Sequence, residues 1–215
     1  MDLRLYAITD RSFFKTIDII KAITIAIENG ATIIQLREKE VSSREFYEVA
    51  LKVKKITKRY NIPLIINDRI DIALAIDAEG VHVGPHDLPV NIVRKIIGKH
   101  KIIGASAYSV EEALRVQKEG ADYIGAGSVF NQSIKSDVKV IGIKGLKEIK
   151  DNVKIPVVAI GGIRKENAYE VMLNSGIDGI STITGIFDGN VQLNTQQIIK
   201  EINRALKKRR GINEL

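Results

Sequence analysis

From end to end the chain alternates between short apolar runs rich in β-branched residues and longer stretches in which apolar positions recur every three or four residues. The runs of the first kind are RLYAIT (4–9), TIIQLR (32–37), PLIIN (63–67), GVHVG (80–84), KIIGAS (101–106), YIGAG (123–127), PVVAIG (156–161) and GISTIT (179–184). Their length and the turn residues that bound them predict eight buried strands. Between them, IDIIKAITIAIENG (17–30), SREFYEVALKVKKITKRY (43–60) and SVEEALRVQKEG (109–120) carry the period of amphipathic helices. The punctuation agrees with this reading. Ser109 with Glu112 three residues on predicts a helix start, while Gly30, Gly120 and Gly176 stand where helices should stop. Pro63 and Pro156 open their strands, where a missing N–H is tolerated.

Strands that alternate with helices run parallel, and the right-handed crossover rule closes eight of them into a (β/α)8 barrel, with a doubly wound open sheet as the alternative. Nothing along residues 1–215 reads as a linker or low-complexity segment, so one barrel domain is expected, with a basic tail over about 207–215. Length and a hydrophobic content of 45% are sufficient for its core.

In such barrels the chemistry lies at the carboxyl ends of the strands. At the second strand, Gln35, Arg37 and Lys39 share a parity with Ile33, so an extended chain points them to one side while Ile34 and Leu36 point to the other. A buried unpaired cation is costly, so an anion is expected opposite them. The same rim receives Asn67 and Asp68 from the third strand, His86 and Asp87 from after the fourth, and Ser106 from the fifth. Asp68 or Asp87 alone would read as a cap for the following helix. Together, two carboxylates facing several cations suit a hard divalent ion that bridges to an anionic substrate.

Two further features bear on the mouth. AIGGI (159–163) and STITG (181–185) follow the seventh and eighth strands, where glycines let backbone N–H groups approach a phosphate. SVFNQSIKSDVKVIG (128–142), after the sixth strand, exceeds an ordinary connection and reads as a binding loop that brings Lys135 to the substrate. Two phosphate-reading regions across one mouth, one with metal carboxylates and one without, suggest two phosphorylated substrates joined by a transferase. No Ser/His/Asp arrangement is evident, and His82 and His100 read as structural.

Composition changes this picture little. There is no cysteine, hence no disulfide framework or thiolate metal site, and no leader-like segment or apolar run of membrane-spanning length is visible, so a cytoplasmic protein is expected. The net charge is +7, and part of it lies in RALKKRR (204–210), which complements a helix dipole. Aromatic residues are 5% of the chain and do not interleave with basic runs, so the excess points to small phosphorylated ligands rather than nucleic acid or a membrane. A homo-oligomer is compatible with all of this.

QLREK, INDRIDIAL, GVHVGPHDLPV, GASAYS, GADYIGAGSVF and VVAIGGI, in this order and over nearly the whole chain, resemble the thiamine-phosphate synthase family. The resemblance implies a (β/α)8 barrel that joins 4-amino-2-methyl-5-hydroxymethylpyrimidine diphosphate to 4-methyl-5-hydroxyethylthiazole phosphate, releasing diphosphate with Mg2+. It implies that Gln35, Arg37, Lys39, Asn67, Ser106 and Lys135 hold the pyrimidine diphosphate, that Arg37, Lys39 and Lys135 act on its departure, and that Asp68 and Asp87 hold one Mg2+ per subunit. Gly162, Ile183 and Thr184 would receive the thiazole phosphate. Leu36, Glu38, Gln132, Ser133 and Ile134 fall within the substrate-binding segments by the same resemblance. The chain departs from the family pattern at QSIK (132–135), where Ile134 replaces a hydroxyl residue, and at Pro85, where a glutamine is usual. Two other readings stay open: a thiazole tautomerase of the same superfamily, which needs no pair of magnesium carboxylates, and a barrel that binds phosphorylated ligands without turnover.

Overall fold

Every apolar run predicted as a strand forms one, with its ends trimmed by two residues at most, except that the fifth runs one residue further, to Ala107. The computed structural model describes residues 1–131 and 139–211. The strands β1 (Leu5–Ile8), β2 (Ile33–Leu36), β3 (Leu64–Asn67), β4 (Gly80–Val83), β5 (Ile102–Ala107), β6 (Tyr123–Ala126), β7 (Val157–Ala159) and β8 (Gly179–Thr182) each pair in parallel with the next, and β8 returns to β1. The barrel is therefore closed and no strand edge remains exposed. Around it lie α1 (Ile19–Glu28), α2 (Ser43–Arg59), α3 (Ile70–Ala75), α4 (Val90–Ile97), α5 (Val110–Glu119), α6 (Gly142–Asn152), α7 (Lys165–Ser175), the single turn α8 (Thr184–Phe187) and α9 (Val191–Arg209). Among the described residues no helix is long and apolar enough to cross a membrane.

The caps read from the sequence are present. Ser109 Oγ accepts from the Glu112 N–H at 3.2 Å, and the Glu112 carboxylate reaches back to the Tyr108 N–H at 2.6 Å. Gly120 and Gly176 end α5 and α7 in the left-handed region, at φ 102° and 74°. Pro63 and Pro156 lie one residue before β3 and β7, yet their carbonyls already accept from Ile34 and Ile124 of the neighbouring strands.

The period-two alternation of each strand divides its side chains between two cores. Ile34, Leu36, Leu64, Ile66 and Ile103 face the helices in the larger core. Tyr6, Ile8, Ile33, Ile65, Tyr123 and Val158 fill the barrel itself. Burying each of the large aliphatic side chains stabilises the fold by about 1.5–3 kcal/mol. The basic end of α9 has a structural part, since the Arg209 guanidinium donates to the Ile177 and Gly176 carbonyls at 2.7 and 2.8 Å. It thereby satisfies carbonyls where α7 ends.

Candidate active site

The barrel register decides which side chains meet at its mouth. Ile8, Gln35 and Ile65 form one row, Asn67, His82, Gly104 and Tyr123 another, and Ser106, Gly125 and Val158 a third. These rows point into the barrel, and all of these residues but Ile65 and Gly104 line an open pocket of about 790 Å³. Gln35 is therefore inward, as its parity with Ile33 required. Leu36 is not: its side chain is fully buried in the helix-facing core, so only its backbone stands toward the mouth.

β2 ends at Leu36, and Arg37 and Lys39 lie beyond the last strand residue. The anions paired with them are carboxylates of adjacent strand ends. The Arg37 guanidinium is paired with Asp10 after β1, both largely buried, and its backbone N–H donates to Thr9 Oγ1 at 3.0 Å. Lys39 is paired with Asp68 after β3. Glu38 points away from the pocket: its Oε2 accepts from Arg11 Nε at 2.7 Å, Arg11 in turn donates to Glu45 on α2 at 2.8 Å, and the buried Glu38 Oε1 has no hydrogen-bond partner among the described residues.

Asp68 sits at φ 62°, a left-handed conformation that Asp adopts more readily than most residues, and its N–H donates to the His82 carbonyl at 2.9 Å. Neither it nor Asp87 caps a helix. Asp87 instead accepts from the Gly84 N–H at 2.7 Å and faces Asp68. Burial raises the Asp87 carboxyl above its usual range; the Gly84 N–H opposes the rise and the Asp68 carboxylate adds to it. Two carboxylates turned toward one another, with Lys39 against one of them, form a donor set that suits a cation. Among the described residues no group of three or more His, Cys, Asp or Glu side chains is placed to hold a metal. Two carboxylates completed by phosphate oxygens and water fit magnesium, which keeps several waters and seldom takes an all-protein cage.

Across the mouth the groups are backbone rather than charge. Gly162 lies at φ 66°, and a Cβ there would stand 2.8 Å from Phe130 Cβ and 2.9 Å from the Asn131 carbonyl oxygen. Glycine is thus required both by the angle and by the space. The chain after β6 is bound onto this turn, with Val129 and Phe130 N–H donating to Ile160 and Gly161 at 2.9 and 3.1 Å. Ile183 lines the pocket just after β8, and Thr184 opens α8. Gln132, Ser133, Ile134 and Lys135 lie outside the described residues.

Four residues at the mouth were not expected there from the sequence. Tyr6, Tyr123 and His82 stand inside the pocket, and Asp10 holds Arg37. Burial raises both phenols well above their ordinary range, so both are neutral. His82, read as structural, bonds to Tyr123 and Ser106.

Comparison with known proteins matches residues 5–186, most of the barrel, to the model of a family described as thiamine monophosphate synthase. The chain belongs to the thiamine monophosphate synthase family. It is 66% identical over 209 residues to a thiamine-phosphate synthase of Caldanaerobacter subterraneus subsp. tengcongensis, covering 97% of this chain and 98% of that protein. It is 55% identical over 186 residues to a thiamine-phosphate synthase of Clostridium acetobutylicum, covering 86% and 88%. Among solved structures it is similar to a thiamine phosphate pyrophosphorylase from Pyrococcus furiosus, with a TM-score of 0.89 and 45% identity over 95% of this chain and 98% of that one. In this member of the thiamine monophosphate synthase family, a charged rim after β1 to β4 thus faces a glycine-built rim after β7 and β8, with a polar floor between them.

Proposed function

We propose that the chain is a thiamine-phosphate synthase, coupling 4-amino-2-methyl-5-hydroxymethylpyrimidine diphosphate with 4-methyl-5-hydroxyethylthiazole phosphate to give thiamine phosphate and diphosphate. The observation that carries this reading is the pairing of Arg37 with Asp10 and of Lys39 with Asp68 at the rim, beside Asp87. Carboxylates of neighbouring strand ends position both cations, and a bound diphosphate would take the place of those carboxylates against them.

Gln35, Asn67 and Ser106 hold the pyrimidine at the pocket floor, and Arg37 and Lys39 hold its diphosphate. Lys135 is assigned to the departing diphosphate by the family resemblance. Asp68 and Asp87 are the residues that would hold magnesium, which when bound supplies positive charge against the leaving group. The bond between the pyrimidine methylene carbon and the diphosphate oxygen breaks, and its electron pair leaves with the oxygen. Arg37 and Lys39 favour this step because the charge they face grows as the bond lengthens. The thiazole nitrogen then donates its lone pair to the methylene carbon, forming the C–N bond, so no enzyme nucleophile is needed. Gly162, Ile183 and Thr184 offer backbone to the thiazole phosphate and aim that nitrogen. Ile8, Val158, Ile160 and Ile183 give the pocket apolar walls, which leave less room for water that would capture the carbocation. A cytoplasmic enzyme acting on small phosphorylated substrates is part of the same reading.

Incubation with both substrates, with and without Mg2+, tests it. Thiamine phosphate and diphosphate should appear in equal amounts only when the cation is present. Rearrangement of the thiazole phosphate alone would assign the chain to the tautomerase reaction instead.

A further inference from the structure

One chain of hydrogen bonds crosses the pocket floor. Gln35 Nε2 donates to the Tyr6 hydroxyl at 2.8 Å, and the Tyr6 and Tyr123 hydroxyls are 2.7 Å apart. The Tyr123 hydroxyl lies 3.0 Å from His82 Nδ1, and His82 Nε2 lies 3.1 Å from Ser106 Oγ. Its ends, Gln35 and Ser106, are both pocket-lining residues. Space has been cleared for its middle. Gly104 stands between His82 and Tyr123 in the same row, and a Cβ there would come within 2.0 Å of Tyr123 Cζ and 2.5 Å of His82 Nδ1. Gly125 clears the other side of the imidazole, with His82 Cε1 3.0 Å from where its Cβ would be. A glycine inside a strand weakens it, so two of them beneath one side-chain pair mark a close approach.

The direction of this chain follows from proton counting. Each phenol is neutral and carries one proton. Tyr6 accepts from Gln35, and its bonded partners are Gln35 and Tyr123. Its own proton therefore goes to Tyr123; the reverse arrangement would bury it without an acceptor, which costs the desolvation of an unmade bond. Tyr123, having accepted, gives its proton to His82 Nδ1. A neutral imidazole that accepts at Nδ1 carries its proton at Nε2 and donates it to Ser106 Oγ. The Ser106 hydroxyl proton is then directed to the pocket, and the Gln35 carbonyl oxygen remains an acceptor.

We propose that Tyr6, Tyr123 and His82 are positioning residues that fix Ser106 as a donor and Gln35 as an acceptor toward the heteroaromatic ring of the substrate. The floor so polarised matches an exocyclic amino group beside an unprotonated ring nitrogen. It opposes the oxo form of such a ring, whose donor and acceptor are exchanged. The identity of the ring rests on the synthase reading; the direction of the chain does not.

Nitrogen-15 NMR of the imidazoles decides the direction without any turnover, and the chain holds only three histidines, His82, His86 and His100. The His82 signals, assigned by their loss in His82→Gln, should show the Nε2–H tautomer in wild type and a mixture in Tyr6→Phe. An Nδ1–H tautomer in wild type overturns the proposal, because Ser106 would then be spent as a donor inside the chain. Kinetics test the consequence. His82→Asn can keep the acceptor for Tyr123 but loses the donor to Ser106, whereas His82→Gln places an amide N–H where Nε2 stood. His82→Asn should raise KM for the pyrimidine diphosphate ~10-fold, the scale of one lost hydrogen bond, with less loss in His82→Gln and no change in KM for the thiazole phosphate in either. Combining His82→Asn with Ser106→Ala should be no worse than Ser106→Ala alone. Additive losses in that cycle would show that His82 does not act through Ser106. Should wild type make no thiamine phosphate, the synthase reading fails while the tautomer still decides the chain.

Discussion

The two rims of the barrel mouth are built from different materials. After β1 to β4 the rim is side-chain charge, with Arg37 against Asp10 and Lys39 against Asp68. After β7 and β8 it is backbone, shaped by Gly162 and the turn into α8. The first is expensive to assemble, since its cations and carboxylates are partly desolvated and must be mutually held. The second costs little beyond glycine's entropy. The difference suits the proposed division of labour: a leaving group that gains charge needs strong, fixed countercharge, whereas a phosphate that serves only as a handle needs N–H groups and room. Substitutions on the two rims should therefore differ in which ligand they affect and in whether they affect binding or turnover.

The largest effect is expected where charge develops. Asp68→Ala removes one of two carboxylates proposed for magnesium and frees Lys39, and kcat should fall by ~10² or more. The variant should stay folded, because Asp68 lies at the rim outside both cores. Thiamine phosphate formation measured across a magnesium titration checks this; undiminished turnover of Asp68→Ala in chelator would remove the metal from that rim.

Next is the glycine rim. Gly162→Val places a β-branched residue at φ 66° and pushes its Cβ against Phe130 and Asn131. Thiazole phosphate affinity should drop ~10-fold or more while pyrimidine diphosphate affinity holds, as judged by calorimetry on a variant whose circular dichroism is native. Equal losses for both ligands would mean that the rims are not divided as proposed.

These contrasts also explain what was legible in the sequence. The eight strands were, because buried parallel strands are written as continuous β-branched runs. The parity of TIIQLR placed Gln35 correctly inside, but it extended the strand through Arg37 when the ladder stops at Leu36. An extended chain and a hydrogen-bonded strand have the same side-chain alternation, so the pattern alone does not separate them. Asp10 was passed over because an Asp after a strand reads as a cap. It is one, accepting from the Ser12 N–H at 3.1 Å while its other oxygen holds Arg37. His82 looked structural because a lone histidine in a strand has no periodic signature. The available signal was the pair Gly104 and Gly125, inward-facing glycines in two adjacent strands for which no turn gives a reason.

A moderate effect should follow from Asp10→Asn. The Arg37–Asp10 pair is mostly buried, so neutralising one member leaves a poorly solvated cation and should lower stability by about 1–3 kcal/mol. The same change spares an incoming diphosphate its competitor, so its affinity should rise. The two effects separate in a melting experiment: Asp10→Asn should melt below wild type alone, and saturating pyrimidine diphosphate should raise its melting temperature by more than it raises that of wild type. A smaller ligand-induced shift would show that Asp10 orients Arg37 for the substrate rather than competing with it.

The smallest effect separates the rims without any substitution. Both substrates are anions approaching a chain of net charge +7, so both feel a long-range field, which salt screens alike. What differs is the local contact. Lys39 is half exposed in its pair with Asp68, so added salt weakens its hold on a diphosphate, whereas backbone N–H groups at the glycine rim carry only partial charges that screening affects less. Raising ionic strength from about 0.05 to 0.3 M shortens the screening length from roughly 14 to 6 Å. KM for the pyrimidine diphosphate should then rise by ~3-fold more than KM for the thiazole phosphate, with magnesium held saturating throughout. Equal sensitivity of the two constants would place fixed cationic side chains on both rims and erase the contrast between them.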